Sequence, residues 1–157
     1  FTSEEAWAVM VGDETQTIFT KLYHEIPAPA NTEQLLSDWT RIRALRDDVN
    51  KALEDARAST GAEQIGSALQ ASVRISAPAA DAQLLQRLGN DLRFVLITSG
   101  AAVSEGAASV TVELAQGAKC ERCWHVTVDV GTDAAHPSLC ARCVSNLFGS
   151  GEVRQFA

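Results

Sequence analysis

Residues 119–143 read KCERCWHVTVDVGTDAAHPSLCARC and contain every cysteine of the chain: Cys120 and Cys123, then Cys140 and Cys143. The spacing is C-x2-C, sixteen residues, C-x2-C, the pattern of a zinc ribbon in which two tight turns each present two thiolates to one tetrahedral ion. Sixteen residues suffice for a short hairpin that brings the second turn opposite the first. Four soft thiolates favour Zn²⁺ over hard cations, and with every position filled none is left for water or substrate. The expected ion is structural, not catalytic. Two disulfides would require an oxidising compartment, and the sequence carries no signal peptide or long apolar segment. A redox role suits any single C-x-x-C, but two pairs at ribbon spacing make a shared metal the simpler account. His125 and His136 offer imidazole as alternative ligands; beside four thiolates both are read as non-ligands.

Outward from the ribbon, a chain of 157 residues, 46% hydrophobic and 21% charged, is long enough to bury roughly two thirds of its unfolded surface without staples. Its net charge of -7 opposes any simple nucleic-acid reading, because phosphate binding is led by Lys and Arg. Any RNA-binding surface must be a local patch. Residues 1–30 carry Glu4, Glu5, Asp13, Glu14 and Glu25 against Lys21, whereas the ribbon balances Lys119, Arg122, Arg142 and Arg154 against Glu121, Asp129, Asp133 and Glu152. Two readings of those four cations stand: they offset the charge of a tetrathiolate site, or they meet phosphates.

The order of elements is helical, then mixed, then ribbon, an α+β chain. Thr2 with Glu5 forms a capping-box pattern for a short helix through Trp7, Val9 and Met10, closed by Gly12-Asp13. Thr17 to Tyr23 reads as a packed extended arm, and Pro27 and Pro29 forbid a continuous helix. Asn31 is the expected cap of the next helix. From Thr32 to Ser59, Leu35, Trp39, Ile42, Leu45, Val49, Ala52, Leu53 and Ala56 recur at three and four, the stripe of a long amphipathic helix. Its other face mixes Arg41, Arg43, Arg46, Lys51 and Arg57 with Asp38, Asp47, Asp48, Glu54 and Asp55, as expected of a solvated face laced with i,i+4 pairs. Contact with RNA is the second reading of that face.

After Gly61 and Gly66 the period changes. Ala71, Val73, Ile75 and Ala77 alternate with polar residues up to Pro78, which predicts a half-buried strand. Asp81 to Leu88 fits a short helix stopped by Gly89, Leu92 to Ile97 a buried strand, and Val110, Val112 and Leu114 a further strand. No repeat, phosphate loop or nucleophile elbow is present, and His24 is a lone residue in a proline turn. On these grounds the chain is a zinc-stabilised binding module.

The run from Cys120 onward resembles the C-terminal zinc-binding segment of bacterial isoleucyl-tRNA synthetases, in CERCWH, DVG, HPSLCARCVSNL and GSGEVRQFA. Upstream, FTSEEAW resembles the end of the anticodon-binding helical domain, DWTRIRALRDDVNKALEDAR the helix after it, and IGSALQASV the start of a junction module. The resemblance implies four regions: 1–30, the end of the anticodon-binding domain; 31–62, the long helix; 63–115, a small α+β junction module; and 116–157, the zinc ribbon. It also implies a C-terminal fragment of a larger cytoplasmic, monomeric enzyme that joins isoleucine to tRNA with ATP. The HIGH and KMSKS motifs are absent, so the piece is expected to be inactive alone, with tRNA(Ile) and the rest of the parent chain as partners and no membrane association. Closeness to the knuckles and residue type single out Arg122, Trp124, His125 and Arg142 as RNA contacts, with Lys119 and Arg154 beside them. An exposed Trp can stack on an unpaired base; the alternative for Trp124 is an apolar lid over the metal. Two other readings stay open. DNA glycosylases that excise oxidised purines end in a related finger, although here the N-terminal proline nucleophile and an Arg between Cys123 and Cys140 are missing. The third is a zinc-ribbon protein-interaction module.

Overall fold

The computed structural model describes residues 1–13, 15–60, 64–154 and 156. Gly61, the expected break after the long helix, and the boundary at 62/63 lie outside the described residues. The chain divides into two compact units, Phe1–Thr32 and Glu33–Ala157.

In the first unit, α1 (Thr2–Val11) ends at Gly12, whose φ of 68° is the left-handed conformation that glycine adopts without steric penalty. The expected Thr2 cap is corrected: Phe1 is the N-cap and no side chain caps the helix. The Phe1 carbonyl accepts from the N–H groups of Glu4 and Glu5. The Glu4 carboxylate instead clamps the next segment, accepting from Thr17 Oγ1 at 2.5 Å and Ile18 N at 3.2 Å. That segment makes a 3-10 turn at Ile18–Thr20. It is not the packed arm expected, because Phe19, Leu22 and Tyr23 are all exposed.

The long helix α2 runs Thr32–Ala58. Asn31 sits before it at φ 62°, away from the extended conformation of an N-cap. Of the predicted stripe, Ile42, Val49 and Leu53 are buried and Trp39, Leu45 and Ala56 pack against the same core, while Leu35 is exposed. The charged face differs from expectation in a way that matters for packing. Arg41 forks onto Asp81 (2.8 and 2.6 Å) and Asp38 takes Arg87 (2.9 Å), so two of its charges tie α2 to the next helix. Within α2 the ion pair present is Arg57 with Glu54, at i,i+3.

Strand β1 (Ala71–Ala77) lies between β2 (Gly100–Glu105), which is parallel to it, and β3 (Ser109–Leu114), which is antiparallel. Ala71, Val73, Ile75 and Ala77 face inward as the alternation predicts. The crossover to β2 carries α3 (Ala79–Gln86), a 3-10 turn at Gly89–Asp91 and α4 (Leu92–Leu96). The strand expected at Leu92–Ile97 is thus a helix, a correction with a simple cause: a short apolar run lacks the length that separates buried strand from buried helix. As a helix it sets Leu92 and Leu96, each 2% exposed, together on the core side. Ile97 ends it at φ 57°. Strand β2, read as GAAVSE, escaped sequence reasoning because its residues are too small to show a period. No helix among the described residues is long and apolar enough to cross a membrane.

Replacing Leu96 with Ala is expected to cost about 2–5 kcal/mol of stability in urea unfolding. Asp81→Asn is expected to cost at most about 1 kcal/mol, because Arg41 is half exposed. Its hydrogen bonds to Arg41 hold the Asp81 carboxyl below the usual value. The difference from the parent chain is therefore present in full above about pH 4 and disappears as pH falls through that lowered value, which a pH series of melting temperatures checks.

Candidate metal centre

The hairpin of the ribbon is not between the two cysteine pairs but around the first. Strands β4 (Ala118–Lys119) and β5 (Val126–Thr127) pair antiparallel, with Cys120 and Cys123 in the turn that joins them. Cys120 N donates to the His125 carbonyl and Trp124 N to the Cys120 carbonyl, both at 2.9 Å. Gly117 makes this closure feasible: at φ 108°, a Cβ there would stand 2.2 Å from the Thr127 carbonyl oxygen. The second pair opens α5 (Ala141–Phe148), with Cys140 as N-cap. Cys140 supplies no cap from its own side chain; Asp129 Oδ2 accepts from Ala141 N at 3.1 Å in its place.

These elements bring the four predicted cysteines together. All four are free thiols and their sulfurs lie within 4.8 Å of one another. Cys123 Sγ and Cys140 Sγ stand 3.7 Å apart; sulfurs on a tetrahedral zinc with bonds of about 2.3 Å stand about 3.8 Å apart. The donor set therefore fits zinc in number, softness and spacing. Burial pushes the Cys140 and Cys143 thiols up, the neighbouring thiols adding to it at Cys140. At Cys120 burial acts the same way but is outweighed by the N–H groups of Cys123, Cys140 and Arg122, and that thiol is lowered. Packed this closely, four sulfurs cannot all ionise without a cation among them.

Neither histidine joins the cluster. His125 Nδ1 lies 3.2 Å from the Cys123 carbonyl, which can only accept, so Nδ1 carries the proton. Burial, reinforced by Arg142, Arg93 and Arg154, holds this ring below the usual histidine value. His136 stacks on Phe148 with centroids 3.9 Å apart.

The other expected contact residues divide into two sets. Lys119 and Trp124 face outward together, the ammonium 5.3 Å from the ring centroid. Trp124 is 60% exposed and sits at φ 65°, a conformation that costs a non-glycine residue about 1–2 kcal/mol. It borders an apolar pocket of about 350 Å³ with Ser67, Ala68, Leu69, Gln70, Ile97 and Lys119. Arg122, Arg142 and Arg154 have partners within the chain, although Arg122 and Arg154 remain exposed. Arg122 Nη1 donates to Cys143 Sγ at 3.5 Å, and Glu152 receives Arg142 at 3.1 Å and Arg154 at 3.0 Å.

Sequence reasoning missed the residues that seat the ribbon on the rest of its unit. Phe94 on α4 meets His125 edge-on (5.5 Å) and lies under the guanidinium groups of Arg93, Arg142 and Arg154 at 4.8, 4.9 and 4.0 Å. The Ser99 hydroxyl donates to the Leu69 carbonyl (2.6 Å) and accepts from Val126 N (2.7 Å). Phe156 N donates to Asp91. Apart from the adjacent Arg93, no spacing rule points to these partners, whose hydrogen bonds join residues 27 to 65 positions apart.

A four-cysteine cluster built by a hairpin turn and a helix start, on an α+β body, defines a structural zinc-finger protein. Residues 117–146 match the family model described as the zinc finger found in FPG and IleRS, and with the cluster this supports one structural zinc ion. The likeness extends well beyond the finger. The chain is 51% identical over 98% of its length to the isoleucine–tRNA ligase of Bordetella parapertussis, and 52% identical over 100% to that of Paraburkholderia phytofirmans. Its homologues are isoleucyl-tRNA synthetases, and it corresponds end to end to a segment that spans 17% of their length.

Cys140→Ser is expected to abolish stoichiometric zinc, measured as metal per purified, reduced chain. Gly117→Ala is expected to lower zinc retention without touching a sulfur, because the hairpin strands must separate to admit the methyl; chelator competition reads the change. Chelation of the parent chain should erase amide protection across 117–148 while that of β1 persists, as followed by hydrogen exchange.

Proposed function

We propose that this chain is the C-terminal tRNA-recognition region of an isoleucyl-tRNA synthetase. Cys120, Cys123, Cys140 and Cys143 hold one zinc ion, which shapes the ribbon into a surface that meets the anticodon stem-loop of tRNA(Ile). The ion is a scaffold: with four thiolates around it, no position remains for chemistry. Joining of isoleucine to tRNA with ATP belongs to the parent chain, in the cytoplasm and as a monomer. Within it, residues 1–30 end the anticodon-binding domain, 31–62 form the long helix, 63–115 the junction module and 116–157 the ribbon.

The observation that carries the RNA reading is Trp124. A bulky aromatic held at φ 65°, mostly exposed and paired with the Lys119 ammonium, offers a ring face for an unpaired base and a cation for its phosphate. Among the described residues, Ser67, Ala68, Leu69, Gln70, Ile97 and Lys119 line the pocket beside it with no carboxylate, a local exception in a chain of charge -7. Lys119 and Trp124 therefore take the RNA-facing role, ahead of Arg122, His125, Arg142 and Arg154, which have internal partners. The glycosylase-like reading draws on the ribbon alone, and the ligase reading on the whole chain.

Trp124→Gly separates the two roles of this residue. Glycine adopts φ 65° freely, so the ribbon should keep its zinc and its stability. Affinity of the full synthetase for tRNA(Ile) should fall by about 1–3 kcal/mol. Unchanged affinity with zinc retained would leave Trp124 as a lid over the metal. Titration with tRNA and with duplex DNA at two salt concentrations distinguishes the ligase reading from the glycosylase and protein-interaction readings.

A further inference from the structure

The two cysteine turns share a residue besides cysteine. The first reads Cys-Glu-Arg-Cys at 120–123 and the second Cys-Ala-Arg-Cys at 140–143, with arginine at the same place in each. Only the first is seen to cross the cluster. Arg122, from the first turn, donates through Nη1 to Cys143 Sγ at 3.5 Å. Arg142, from the second, donates to Glu152 at 3.1 Å. The Arg122 guanidinium thus reaches the last cysteine of the opposite turn.

The charge arithmetic gives that contact a purpose. Four thiolates outweigh one dication, so a filled site carries excess negative charge inside a chain that is already acidic, and Cys120, Cys140 and Cys143 are all buried. Buried charge is tolerated only when paired and hydrogen-bonded. The guanidinium is suited to the role because it stays charged and directs several N–H groups from one plane. Backbone N–H groups begin the task, Cys140 N donating to Cys120 Sγ at 3.4 Å. Groups outside the first coordination sphere that bond to metal ligands typically change affinity 10- to 100-fold.

We propose that Arg122 clamps the zinc thiolates, bridging from its own cysteine turn to Cys143 of the other, and that it determines how long the ion is retained rather than contacting phosphate. The proposal rests on the four-cysteine zinc assignment. Arg142 stacks on Phe94 and pairs with Glu152, so its replacement would disturb the seat of the ribbon. Arg122 is the cleaner probe.

The test uses the full synthetase loaded with Zn²⁺. Arg122→Ala should release zinc to an excess of a chromogenic chelator 10- to 100-fold faster than the parent, with the salt dependence of tRNA binding unchanged while the metal is in place. Arg122→Lys, which keeps the charge but loses the fork, should fall between the two. Release at the parent rate overturns the proposal, as does a salt slope reduced by about one, the mark of a lost phosphate contact. Should the alanine variant purify without zinc, Co²⁺ titration of Arg122→Lys decides: weaker Co²⁺ binding than the parent supports the clamp, and parent affinity overturns it. Zinc counted in the parent chain and in Cys143→Ser tests the cysteine assignment separately, so failure of that assignment is distinguishable from failure of the clamp.

Discussion

The cluster of four sulfurs is what the ribbon has in place of a core. Its buried residues are Cys120, Cys140 and Cys143, with Cys123, Val130 and Leu139 packed around them, too little apolar surface to offset the ordering of the loops that converge there. Strands β4 and β5 are two residues long and would not persist alone. A metal held by these sulfurs closes both turns at once, and structural zinc typically contributes on the order of 10 kcal/mol to such an element. The position of Lys119 and Trp124, which flank the first turn, follows from that closure.

Shape in the ribbon is useful only if the ribbon is held, and the hold is concentrated on one ring. Phe94 gathers three guanidinium groups and His125, while the Ser99 hydroxyl pins Val126 to the 3-10 turn at Ala68–Gln70. These contacts depend on Leu92–Leu96 being helical. In a strand, Leu92, Phe94 and Leu96 would share one face; in the helix the two leucines turn inward and Phe94 is left at the surface that the ribbon covers.

Much of this was legible in the residues. Four cysteines at ribbon spacing identified the metal cluster, alternation ending at Pro78 gave β1 its full extent, and the stripe from Trp39 to Ala56 gave α2. What could not be read has a common physical cause: it depends on partners distant in sequence. Arg41 and Asp38 look like members of a solvated face until α3 arrives to meet them. GAAVSE becomes a strand because β1 lies beside it, and α4 is helical because its leucines find the core together. The turn between β4 and β5 was misplaced since two-residue strands leave no period to detect. Trp124 and Ile97 occupy left-handed backbone that composition would assign to glycine.

The place of β1 in its sheet has a bearing on how the chain acquires its form. It is the middle strand, yet it precedes both of its neighbours. Residue 72 must wait for residue 100 on one side and for residue 113 on the other, so its inward-facing methyl groups stay without a lasting partner until the crossover has been made. Pairing at such separations is slow compared with helix formation. The long helix is therefore the element equipped to shelter β1 in the interval, since its Ile42, Val49 and Leu53 share the core with Val73 and Ile75, and the ribbon, anchored through Ser99 immediately before β2, can be seated only after that interval has passed.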